Sequence, residues 1–134
     1  MTRPGGALAG YVVSWRRHFH RHPELSFQER ATARTIAAEL TKLGLSVRAD
    51  VGGTGVVGLL RGARPGRCVA LRADMDSLPV EELNAVPYRS QAPGRMHACG
   101  HDGHMAMLLG AASLLARRKG DLQGMVKFLF QPGE

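Results

Sequence analysis

RCVALRADMD, residues 67–76, and MVKFLFQPGE, residues 125–134, are the two runs whose reading decides the fold. Each is a short, β-branched or apolar stretch that ends in acid: Asp74 and Asp76 close the first, Glu134 the second. Strands are predicted over 67–73 and 125–130, the latter broken by Pro132 and Gly133. Between them, residues 77–100 contain Pro79, Pro87 and Pro93 and form a long irregular connection. Met105, Leu108, Leu109, Ala112 and Leu115 then mark a helix over about 102–118, stopped by Gly120. A strand, a connection containing a helix, and another strand predict a right-handed crossover and a parallel pair, hence an α/β fold. Ligands of such sheets gather beyond the carboxyl ends of the strands, which is where all three acids fall.

Working toward the N-terminus, two more short runs, 46–51 and 55–60, are predicted strands separated by glycine breakers. Ahead of them Ser26 and Glu29 have capping-box spacing before Ala33, Ile36, Ala37, Leu40 and Leu43. Gly44 is placed to end that helix in a left-handed cap. Leu8, Tyr11, Val12, Trp15 and Phe19 repeat at helical spacing, so a first helix is expected over 7–21, ended by Pro23. His18, His20 and His22 alternate, but residues two apart on a helix do not share a face, so they read as surface or helix-terminal groups. Glu81 and Glu82 read as solvated, and Cys68, inside a strand, as packing.

The densest chemistry lies in MHACGHDGH, residues 96–104, where a thiol, three imidazoles and a carboxylate crowd together. Cys99 and His101, one residue apart in a glycine-containing turn, can face one ion; Asp102 and His104 can serve a second ion, orient a ligand or cap the helix. A structural zinc module needs a second ligand pair, which is absent, so the site has to import ligands, as catalytic metal centres do. Thiolate softness favours zinc, while imidazole and carboxylate also admit manganese, cobalt or nickel. Asp74 and Asp76, two apart on an extended backbone, point to one side, where one can meet a metal or hold a ligand histidine by its other nitrogen. The bland alternative for that pair is a turn cap before Pro79.

Composition sets the outer limits. At 134 residues, 44% hydrophobic and 22% charged, the chain fits one globular core at most and is not disordered, collagenous or disulfide-built. Its formal charge of +7 is scattered along the chain, which argues against a nucleic-acid track. Its two cysteines lie in unlike surroundings and predict a reducing, cytoplasmic setting. No stretch reaches the length of a membrane span, and the start lacks a compact apolar run with a cleavage site.

Four segments together, RRHFHRHPELSFQE (16–29), LRADMDSLPVEE (71–82), GRMHACGHDGHMAMLLGAA (94–112) and FLFQPGE (128–134), resemble the metallo-amidohydrolases of the hippurate hydrolase and N-acyl-amino-acid amidohydrolase type, relatives of aminoacylase and zinc carboxypeptidases. The resemblance implies a zinc-exopeptidase-like catalytic domain with a mostly parallel sheet, helices on both faces and two divalent metal ions, hydrolysing amide bonds of N-acyl amino acids or small peptides. Carried onto this sequence, it makes Cys99 and His101 metal ligands, Asp76 the acid near the metal, and Glu134 the general base that deprotonates a metal-activated water. The family's second Glu, a ligand, would follow directly after Glu134. Residues 1–134 are thus expected to be the N-terminal portion of a catalytic domain, without the inserted dimerisation domain, inactive alone and homo-oligomeric at full length. The alternative is a noncatalytic metal-binding or partner-binding remnant.

Overall fold

The computed structural model describes residues 4–134, with only the backbone described for Pro4. Helix α1 spans Pro4–Arg21, reaching three residues earlier than its apolar spacing predicts. Trp15 stacks on Phe19 at 5.6 Å between ring centroids, and Phe19 is buried in the common core. Helix α3, His101–Arg117, crosses close behind α1. A Cβ at Gly110 of α3 would come within 2.6 Å of the Val12 side chain, so the contact between the two helices requires glycine there.

Helix α2, Arg30–Lys42, forms where expected but is not started by the expected box. The cap is Glu24, whose carboxylate accepts the amides of Ala31 at 3.0 Å and Thr32 at 2.7 Å. Ser26 and Glu29 make no capping bond, because tertiary partners take both side chains. Ser26 donates to Asp76, and Glu29 accepts from Thr54 and from the amide of Gly133. At the other end Gly44 has the left-handed φ of +89°, and the Leu45 amide returns to the Leu40 carbonyl at 3.1 Å.

Four strands follow the predicted runs: β1 Ser46–Val51, β2 Gly55–Arg61, β3 Arg64–Asp74 and β4 Gln123–Gln131, in sheet order β1-β2-β4-β3. The predicted parallel pair forms, β3 running parallel to β4 with Asp74 opposite Gln131. The mixed α/β class is as expected, while two finer features differ. One pairing of the three is parallel, because β1 and β2 are joined by a tight glycine turn and β2 lies antiparallel to β4. Among the described residues the helices pack on one face of the sheet. Val56, Leu60, Val126, Phe128 and Phe130 on that face share a core with Ile36, Leu40, Phe19, Met105 and Leu109. Each such buried side chain contributes about 1.5–3 kcal/mol. The opposite face carries exposed Cys68, Arg72 and Lys127, so Cys68 does not pack as expected. No described helix is long and apolar enough to cross a membrane.

Candidate metal centre

Parallel pairing of β3 with β4 sets their carboxyl ends side by side, and the start of α3 arrives between them. Three groups converge there: the carboxylates of Asp74 and Glu134 and the imidazole of His101, whose candidate ligand atoms all lie within 4.8 Å of one another. Nε2 of His101 is 3.2 Å from Glu134 Oε2 and 3.9 Å from Asp74 Oδ2. On the ring's other side Nδ1 meets the Asp76 carbonyl at 2.9 Å and Asp76 Oδ1 at 3.1 Å. Nδ1 faces only acceptors, so it carries the hydrogen, and Nε2 is the atom turned toward the acids. Asp76 is itself fixed by the Ser26 hydroxyl at 2.8 Å. Of the two roles left open for Asp74 and Asp76, each takes one: Asp76 holds the imidazole and Asp74 faces the convergence point.

This donor set fits a divalent cation. Two carboxylates pointed at one spot repel one another, and a cation there would relieve the repulsion and take Nε2 of His101 as a third ligand. Asp74 alone has a cationic neighbour in Arg72 at 2.8 Å, and Glu134 is 64% exposed at the mouth.

The other sequence candidates lie to one side. Cys99 is an exposed thiol in a cleft also lined by His20, Glu82, Tyr88, His97 and Asp102, and it is not one of the three converging groups. His97 is buried with neither ring nitrogen hydrogen-bonded among the described residues. Burial pushes its pKa down to about 4 against the opposing charge of Asp102, so the ring is neutral near pH 7, and neither its N–H nor its lone pair has a partner among the described residues. His104 is exposed, its ring 5.8 Å from that of His101.

Asp102, expected at the metal, has its oxygens engaged elsewhere. Oδ2 accepts from His20 Nδ1 at 2.7 Å and pairs with Arg16 at 3.0 Å, and Oδ1 accepts the Gly103 amide at 2.8 Å. His20 lies in the last turn of α1, as the helix-terminal reading has it, but at 3% exposed it is not a surface group; Glu82, expected to be solvated, is 1% exposed and takes the other His20 nitrogen at 2.9 Å. Burial pushes Glu82 up, but hydrogen bonds from His20, the Ser90 amide and Asn84 outweigh it and hold the carboxyl below its usual range. The missed signal was the row Val12, Arg16, His20 at i, i+4, i+8, which runs beside Tyr11, Trp15 and Phe19. A helix buried along two adjacent rows carries polar groups inward on the second.

The sheet edge thus gathers two acids and an imidazole from two parallel strands and the helix between them, an arrangement suited to a divalent cation. Residues 70–134 match the family described as Peptidase family M20/M25/M40. The chain is 50% identical over 128 residues to a thermostable carboxypeptidase 2 of Saccharolobus solfataricus, covering 95% of this chain and 33% of that protein. Over 123 residues it is 50% identical to an N-acyl-L-amino acid amidohydrolase of Geobacillus stearothermophilus, covering 92% and 33%. Among solved structures, the Bacillus subtilis YXEP protein, described as a dinuclear metal binding peptidase from the M20 family, superposes with a TM-score of 0.90 at 41% identity, covering 96% of this chain and 36% of that one. The chain is similar to members of this family over much of its length, and it spans about a third of the length of the curated relatives it matches.

Proposed function

We propose that this chain carries part of the active site of a metal-dependent hydrolase that cleaves the amide bonds of N-acyl amino acids or small peptides. The observation that carries the reading is the convergence of Asp74, His101 and Glu134 at the shared end of β3 and β4. Relatives named as a carboxypeptidase and an N-acyl-amino-acid amidohydrolase support the substrate class, and the dinuclear neighbour supports two divalent ions. Zinc is the ion favoured by a thiolate and imidazole donor set. His101 and Cys99 are the proposed ligands, joined by Asp74 from β3. Bound cations would supply Lewis acidity to the scissile carbonyl and lower the proton affinity of the attacking water.

The chain's own residues do the rest. Asp76 fixes the His101 tautomer through Nδ1 and makes Nε2 a better donor. Glu134, at the mouth, takes a proton from the attacking water and returns it to the leaving nitrogen. Asp102 acts from behind: it anchors the start of α3 to α1 through His20 and Arg16.

Glu134→Gln keeps the size of the side chain and removes its basicity. In a form of the enzyme that turns over an N-acyl amino acid, it is expected to lower kcat about 10²–10⁴-fold while bound metal, measured on the same preparation, stays constant. Loss of metal would make Glu134 a ligand, and retained turnover would remove it from the chemistry.

A further inference from the structure

Glu29 has side-chain contacts that the start of α2 does not require. It is fully buried, and a buried carboxylate is costly unless each oxygen has a donor. Capping of α2 is already carried out by Glu24. Instead, Oε2 of Glu29 accepts the Thr54 hydroxyl at 2.5 Å, and Oε1 accepts the amide of Gly133 at 2.9 Å. Those two donors come from the β1–β2 turn and from the segment after β4. Gly133 immediately precedes Glu134, so its amide bond to Glu29 sets the direction in which the backbone delivers the Glu134 carboxylate.

The neighbouring residues point the same way. Gly133 has φ +52°, a left-handed conformation, and a Cβ there would come within 2.6 Å of the Phe27 ring. Phe27 itself has φ +59° and is 60% exposed, a strained backbone holding an aromatic ring over a glycine and not inside the core. Ser26 on the same short segment fixes Asp76, and the Glu24 carbonyl accepts both the amide and the hydroxyl of Ser77 at 2.8 Å. Residues 24–29 therefore grip the ends of both parallel strands, one through Asp76 and Ser77 and the other through Gly133.

We propose that Glu29 is a positioning residue for Glu134: by accepting the Gly133 amide it holds the Glu134 carboxylate against His101 at the sheet edge. The proposal rests on the functional reading above for the importance of Glu134, but the contact itself stands without any metal. Removing the carboxylate frees the Gly133 amide and lets the segment after Gln131 swing. Glutamine keeps the acceptor for Gly133 and turns its amide to the Thr54 oxygen. Aspartate keeps the charge but is one methylene too short to reach both partners.

The test is NMR of the metal-free chain, reading exchange of the Gly133 amide and the cross-peak between the His101 ring and the Glu134 methylenes. In Glu29→Ala, and in Glu29→Asp should the alanine variant not fold, Gly133 exchange is expected to rise about tenfold or more relative to the β4 amides of Val126 and Phe128, with loss of the cross-peak. Glu29→Gln is expected to restore both. A uniform rise across β4 with the cross-peak retained would mean a purely structural carboxylate and overturn the proposal, as would unchanged Gly133 exchange. Zinc titration of the parent chain separates this result from the functional reading: failure to bind zinc counts against the metal centre alone, and unchanged Gly133 exchange counts against Glu29 alone.

Discussion

His20 and His101 are 3% and 5% exposed, and each is wedged between carboxylates carried in from distant parts of the chain. Around His20 every partner is answered. Its nitrogens go to Asp102 and Glu82; Asp102 also has Arg16 and the Gly103 amide, and Glu82 has the Ser90 amide and Asn84. Around His101 the answer is one-sided. Nδ1 is held by Asp76, which Ser26 secures, whereas Nε2 looks onto Asp74, whose other oxygen pairs with Arg72, and onto Glu134, which has no second side-chain partner among the described residues. The comparison separates two uses of the same chemistry. An imidazole between acids that are otherwise saturated is a tie between elements, here α1, the long connection and the start of α3. An imidazole between acids left short of positive charge is a place for a cation.

Removing each ring breaks that comparison most sharply. His20→Ala strips two buried carboxylates of a shared partner and is expected to lower unfolding stability by about 3–5 kcal/mol. His101→Ala is expected to cost less than half of that, because Asp76 keeps its Ser26 bond and Glu134 can turn to solvent. Urea unfolding of both variants checks the order, and equal losses would erase the distinction between tie and open site.

A smaller effect follows from pH. The carboxyl of Glu82 lies below its ordinary value of 4.5 in the folded chain, so its contribution to stability is complete above pH 4.5 and is lost as pH falls through the lower folded value. Glu82→Gln is expected to flatten that part of the acid limb while leaving the behaviour near pH 7 shifted by a constant amount. Urea midpoints taken across the acid range measure it, and parallel curves for parent and variant would count against the depressed value.

The sequence makes the sheet edge legible because its signals are local. Apolar runs ending in Asp74, Asp76 and Glu134, with a helix between them, require only chain order and the handedness of crossovers to bring the acids together. His101 likewise stands out by spacing alone, whereas Cys99, singled out by the same spacing, is not among the converging groups. What stayed hidden is what depends on contacts between distant segments. Ser26 and Glu29 have capping spacing, and local preference gives no hint that Asp76, Thr54 and Gly133 outbid the helix end for them. His20 and Glu82 are 62 residues apart, and each alone looks like a surface group. The mostly parallel sheet expected from resemblance gave way to a mixed one because the hairpin of β1 and β2 forms half of the described strands.

The central claim, that the His101 pocket is the open one, is tested most directly by titrating zinc into the chain while following the ring nitrogens of both histidines by NMR. Nε2 of His101 is expected to shift as zinc is added, while both nitrogens of His20 stay where they are. A shift at His20 before His101, or movement at neither ring, would contradict it.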